Sequence, residues 1–163
     1  MTGPVSGRLP DFPWDLLTAD AERARAHPDG IVDLSVGTPV DPTPAVVQEA
    51  LRAASDAPGY PTVQGTARLR EAAAGWVDRT LHAQVDPSDV LPTIGSKELV
   101  AGLAGLLGLG PGARVLVPEL AYPTYAVGAL VAGAQVVAGD SLVALGPARV
   151  DLVWVNSPSN PTG

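Results

Sequence analysis

The sequence predicts an α/β domain built on a parallel sheet. Three observations carry that reading. From about residue 86 onward, short apolar runs (90–94, 114–117, 135–138 and 152–155) alternate with helical stretches, the pattern of strands covered on both faces. Hydrophobic residues make up 46% of the chain and charged residues 17%, enough to bury a core and too apolar for disorder. The 163 residues suit one domain of ordinary size.

The elements follow in order. A polar lead-in from Met1, read as the start of the chain, runs to Pro10. Residues 14–26 suit a short helix stopped by His27-Pro28-Asp29-Gly30. Ile31-Val32-Asp33-Leu34 is an extended piece leading into Ser35-Val36-Gly37-Thr38-Pro39. A second helix is expected with Thr43 as cap and Pro44 at its first position, running through Ala54. Thr66 is expected to cap a third helix through about His82, with Leu69, Ala72, Ala73, Trp76 and Val77 on one apolar face. Asp86-Pro87-Ser88-Asp89 is a turn. After it come a strand at 90–94, a helix at 96–107, a strand at 114–117, a helix at 124–132, and strands at 135–138 and 152–155. The chain therefore divides into 1–85, an arm and small-domain segment with helices, and 86–163, an α/β domain. Its last residues, Ser157 to Gly163, form a turn directly behind an apolar run, so the chain reads as cut short.

Composition excludes several functions. The formal net charge is −7 and the ten cationic residues are scattered, which argues against nucleic acid or an acidic membrane surface as partner. There is no cysteine, so disulfides, thiol nucleophiles and thiolate metal sites are excluded. No apolar run approaches a membrane span, and no signal-peptide core is present. A cytoplasmic protein is expected. His27 and His82 lie in separate segments without neighbouring ligands, so no metal site is expected, and Asp11 and Asp15 read as surface and capping charges.

Four motifs bear on chemistry. Gly108-Leu109-Gly110-Pro111-Gly112-Ala113 fits the dinucleotide fingerprint in letters only, because it follows a helix and precedes a strand, the reverse of what pyrophosphate binding needs. Thr93-Ile94-Gly95-Ser96-Lys97-Glu98 has the right orientation, strand before helix. There, either the helix N-terminus with the Ser96 hydroxyl holds an anion, or Ser96 is a plain cap. Tyr122-Pro123-Thr124-Tyr125 follows the next strand, where an aromatic ring either stacks on a planar ligand or packs the core. Asn156 to Gly163 closes the chain, and Lys97 is its only lysine.

These pieces, with Ser35-Val36-Gly37-Thr38-Pro39 and Gly59-Tyr60-Pro61…Gly65…Leu69-Arg70-Glu71-Ala72, stand in one order over nearly the whole chain. In that order they resemble fold-type I pyridoxal-phosphate enzymes of aminotransferase class I/II. The wording is most like the succinyldiaminopimelate transaminases of lysine/diaminopimelate biosynthesis. The resemblance implies the N-terminal part of a three-layer α/β/α large domain with an incomplete sheet. It implies pyridoxal 5'-phosphate as cofactor, an amino acid and a keto acid as substrates, and a homodimer at full length. By the same resemblance, N–H groups around Gly95, Ser96 and Lys97 would hold the cofactor phosphate. Tyr122 would stack on the pyridine ring and Asn160 would bond its 3′ oxygen. Tyr60 would reach a partner's cofactor phosphate, and Gly37 would lie beside the substrate carboxylate.

The family's aspartate on the pyridine nitrogen, its cofactor-attaching lysine and its carboxylate-binding arginine lie beyond the last motif, so no catalytic residue is expected here. Lys97 matches the phosphate loop instead. The family's sheet order also implies that the strands at 90–94 and 152–155 lack a neighbour. Two other readings stay open: a non-catalytic module for dimerisation or phosphate-ligand binding, and another fold-type I activity such as a carbon–sulfur lyase.

Overall fold

The strand Val115-Leu116-Val117 lies at the centre of the molecule's only well-buried region among the described residues, with all three side chains buried. The computed structural model describes residues 5–163, so Met1 lies outside the described residues. Contacts divide the chain into two units, Met1–Phe12 with Thr93–Gly163, and Pro13–Pro92.

In the first unit β1 (Arg114–Val117) pairs in parallel with β2 (Gln135–Ala138) on one side and β3 (Leu152–Val153) on the other, giving the order β2-β1-β3. The register sets Val115 opposite Val136 and Leu152, and Leu116 opposite Val137 and Val153. The expectation that the run at 152–155 lacks a neighbour is thus overturned. Its amides bond β1 directly, with Trp154 N–H donating to the Leu116 carbonyl at 3.0 Å. The expected strand at 90–94 is not formed. Val90 is extended, but Val90 and Gly95 N–H groups bond within the chain nearby, to the Pro87 and Thr93 carbonyls, and a strand exists only where a ladder partner does.

Helix α5 (Thr124–Ala132) carries the chain from β1 to β2, and α4 (Ser96–Leu106) packs against it. The two approach closely because Gly128 has no side chain. A Cβ there would sit 2.8 Å from the Val100 carbonyl oxygen and 2.9 Å from that of Ala101. After α4, Gly108 takes φ +71°, its N–H bonds the Gly105 carbonyl, and Leu109 N–H bonds the Ala104 carbonyl. That paired arrangement is the Schellman helix end, which accounts for the glycine run as helix termination rather than a nucleotide loop.

The start of the sheet is clamped. Asp151 accepts from Arg114 N–H at 2.9 Å and pairs with Arg149 at 2.9 Å, while its own N–H donates to the Arg114 carbonyl.

The second unit is helical. A 3-10 turn (Asp15–Leu17) leads into α1 (Thr18–Arg25), so the expected helix at 14–26 is present in two pieces. In α2 (Ala45–Ala53) Pro44 is extended at ψ 141° and stands before the helix, and Thr43 makes no cap; its carbonyl instead accepts from the Gln48 side chain at 2.7 Å. Thr66 does cap α3 (Ala67–Leu81), its hydroxyl accepting from Leu69 N–H at 3.2 Å. The buried residue of α3 is Ala74; of the expected apolar face Ala73 and Val77 are half-buried beside it, whereas Ala72 is exposed and Leu69 and Trp76 are about half exposed. The helix packs against the Pro87–Asp89 turn, which turns its inner side one position from the expected face.

Candidate functional site

The site is built where α4 begins. Gly95 stands before the helix at φ +77°, ψ 146°, a conformation that favours glycine, and no side chain caps the first turn. Ser96 is the first helical residue and not the cap, so its hydroxyl is not used in capping α4. The N–H groups of a first turn have no intrahelical partner and carry the positive end of the helix dipole. Gly95 N–H is already engaged by the Thr93 carbonyl at 2.9 Å. The unshared donors therefore begin at Ser96 and Lys97, and Gly95 contributes shape.

A cavity of about 340 Å³ opens there, lined by Ser96, Lys97, Val100, Tyr122, Tyr125, Asn156 and Asn160. Four residues singled out in the sequence thus share one wall system. Tyr60 and Gly37 lie in the other unit, where Tyr60 is fully exposed. Sequence reading missed three lining residues. Val100 lies one helical turn after Ser96, the spacing that puts two side chains on one face. Tyr125 stands out in the sequence only as a neighbour of Tyr122. Asn156 was visible as an asparagine four residues before Asn160; its side-chain oxygen accepts from Asn160 N–H at 2.9 Å and fixes the loop that carries Asn160.

The aromatic residues are ordered as a series. Tyr122 and Tyr125 meet edge to face, with ring centres 6.3 Å apart and planes at 87°. Tyr125 in turn stacks on Trp154 at 4.8 Å and 27°. The Lys97 ammonium lies 5.1 Å from the centre of the Phe12 ring, a cation–π contact that sequence reading gave no sign of.

Carboxylates held ionised lie elsewhere. The Ser35 hydroxyl and N–H lower the Asp33 pKa, the Ser88 N–H lowers that of Asp86, and the Arg114 N–H, followed by Arg149, lowers that of Asp151 at the opposite end of β1. Among the described residues no cluster of His, Asp and Glu could hold a metal, and no helix is long and apolar enough to cross a membrane. A wider groove of about 610 Å³ meets the cavity at Asn156, running past Pro118, Asp140, Trp154 and Thr162 at the same end of the sheet, but it contains no helix start.

Residues 29–163 match the family model for aminotransferase class I and II. The chain belongs to that family. Over 155 residues it is 56% identical to the 4-dedimethylamino-4-oxo-anhydrotetracycline transaminase OxyQ of Streptomyces rimosus, covering 95% of this chain and 43% of that protein. It is 57% identical over 162 residues to the probable aminotransferase Rv1178 of Mycobacterium tuberculosis, covering 99% of this chain and 39% of that protein. Among solved structures, the N-succinyldiaminopimelate aminotransferase of Mycobacterium tuberculosis superposes with a TM-score of 0.78 at 30% identity, over 99% of this chain and 44% of that one. The fold is thus that of fold-type I aminotransferases, with a small, incomplete parallel sheet. The chain spans about two-fifths of the length of the curated relatives it matches.

The aminotransferase class I and II family depends on pyridoxal phosphate. The donors fit that group. An uncapped helix start suits a phosphate, a ring beside it suits a heteroaromatic, an amide suits a ring oxygen, and the volume lies in the range of small-molecule sites.

Proposed function

We propose that this chain forms the phosphate-holding and ring-stacking side of a cytoplasmic aminotransferase. The reaction moves an amino group from glutamate to a keto acid of the N-succinyl-2-amino-6-oxopimelate type, in lysine/diaminopimelate biosynthesis. The observation that carries the cofactor reading is the convergence of the uncapped start of α4, Tyr122 and Asn160 on one cavity. Residues 86–163 make the first part of the cofactor-binding large domain, and 1–85 supply an arm and a small-domain segment.

Pyridoxal phosphate, when bound, supplies an electron-accepting ring to the substrate α-carbon. The chain's own residues do the rest of the holding. The N–H groups of Ser96 and Lys97, with the Ser96 hydroxyl, take the phosphate, and the Gly95 turn aims them. Tyr122 stacks on the ring and Asn160 bonds its 3′ oxygen, held in place by Asn156. By the family resemblance, Gly37 would lie beside the substrate carboxylate. Tyr60, fully exposed, reaches the cofactor phosphate of a second copy in a homodimer. Lys97, the only lysine, has its ammonium over Phe12, so no residue of this chain attaches the cofactor and the chain alone turns nothing over.

The likeness to the N-succinyldiaminopimelate enzyme supports the succinylated keto acid. The 56% identity to OxyQ favours a second reading, a ketone on a polycyclic anhydrotetracycline skeleton. Amination of one ketone and not the other, by the enzyme that carries this chain, separates the two.

The binding test is direct. Titration of the purified chain with pyridoxal phosphate, followed by absorbance, gives saturable binding that inorganic phosphate competes away. Tyr122→Ala weakens it about three- to tenfold, the worth of one aromatic stack. Absence of saturable binding, or equal binding by Tyr122→Ala and Asn160→Ala variants and the parent chain, overturns the reading.

A further inference from the structure

We infer that Trp154 is a positioning residue for the cofactor ring, acting through Tyr125 on Tyr122. The inference rests on the cofactor reading above. Trp154 sits just past β3, with its backbone N–H bonded to the Leu116 carbonyl of β1, so the sheet fixes where it starts. It lines the wider groove but not the cofactor cavity. Its ring overlaps that of Tyr125 at 4.8 Å and 27°, a stacked pair, and both rest on the buried cluster of Val115, Val117, Ala129 and Ala134.

Tyr125 presents its ring to Tyr122 at 6.3 Å and 87°. Both separations fall within the range over which aromatic quadrupoles favour stacked and edge-to-face pairs. Tyr122 itself stands in the loop between β1 and α5, where the backbone fixes its position less than a strand would. Its plane is set by what it leans on. Without Trp154 the Tyr125 ring gains freedom, the edge-to-face contact loosens, and Tyr122 must be ordered when the cofactor arrives. Ordering a side chain at the moment of binding costs affinity. The phosphate donors at the start of α4 lie outside this relay, so their hold is untouched.

The test compares two probes on the whole chain, pyridoxal phosphate and inorganic phosphate. Trp154→Met keeps an apolar filler and removes the ring. We expect it to weaken pyridoxal phosphate about threefold, to leave inorganic phosphate unchanged, and to add nothing in a Tyr122→Ala background. Trp154→Phe restores the affinity. Should Trp154→Met lose its cooperative thermal transition, Trp154→Leu removes the same ring with a different apolar filler, again outside the cavity lining, and carries the same expectations. Equal weakening of both probes assigns these rings to packing alone and overturns the relay. So does an unchanged pyridoxal phosphate affinity in a background where Tyr122→Ala still weakens it. If Tyr122→Ala itself has no effect, the relay fails, and the cofactor reading fails with it only where Asn160→Ala is also without effect.

Discussion

The two units of the chain are made of similar helices and differ in what holds them. In Pro13–Pro92 the hydrogen bonds described join residues no more than five positions apart, such as Gln48 to Thr43 or Ser88 to Asp86. Ala74 is the only buried apolar residue described there, while Val32, Leu34, Val40 and Tyr60 are almost wholly exposed. In the sheet-bearing unit, bonds reach across 37 residues from Arg114 to Asp151 and 21 from Glu119 to Asp140. Val115, Leu116, Val117, Ala104, Ala129 and Ala134 are buried. Local propensity makes helices in both; long-range pairing makes a core in one, and the cavity stands on that core.

The largest effect is expected where the core is tightest. Gly128→Ala places a methyl 2.8 Å from the Val100 carbonyl oxygen, and backbone cannot swing aside as a side chain can. Helices α4 and α5 must part, at roughly 1–3 kcal/mol for overpacking. Because Val100 and Tyr125 lie on those two helices and line the cavity, pyridoxal phosphate affinity falls too. Thermal melting and cofactor titration check both halves. An unchanged melt would show that the close approach carries no weight.

Much of the sheet-bearing unit was legible in the sequence because the limits of its elements are marked by local patterns, although its pairing is long-range. Apolar runs gave β1 and β2 at their observed bounds, and α5 likewise. Ser96, Lys97, Tyr122 and Asn160 stood out because strand–loop–helix order and turn composition mark that end of a sheet. What was illegible depends on neighbours. Residues 90–94 have strand composition and no ladder partner, whereas 152–153 has one in β1. Tyr125, Asn156 and the Phe12–Lys97 contact belong to the site through packing, which single-segment patterns do not encode. In the other unit the sequence marks Thr66 as a cap and marks the face of α3 only in part, through Ala73 and Val77, since a cap is set within one turn and a face by its partner.

Acid sharpens the same contrast. Asp33, Asp86 and Asp151 all have lowered pKa values, but Asp33 and Asp86 bond a serine two residues away and Asp151 bonds Arg114 across the sheet. A carboxylate whose folded pKa lies below its unfolded value near 3.9 contributes stability above that value and loses it as pH falls through the folded pKa. The β1–β3 pairing should therefore loosen on acidification below about pH 4, and Asp151→Asn should flatten that dependence. Asp33→Asn should leave it in place. Protection of the Trp154 amide in hydrogen exchange, read between pH 6 and 3, decides the matter. Equal pH dependence in the parent and the Asp151→Asn protein would mean the clamp does not hold the sheet.

The smallest effect has the opposite sign and lies in the other unit. Gly75, inside α3, would place a new methyl 3.1 Å from the tip of the Arg79 guanidinium, a flexible end that can move away. Gly75→Ala then removes backbone entropy from the unfolded chain at little steric cost and stabilises the helix by about 0.5–1 kcal/mol. Because α3 is held by local bonds and one buried alanine, the gain should appear as slower amide exchange in 67–81, with the melting of the sheet-bearing unit unmoved. The pair is informative because the chemical change is the same, one methyl on a helical glycine. A rise in the melting of both units together would show that they unfold as one, and the contrast between them would then describe their surfaces rather than their stability.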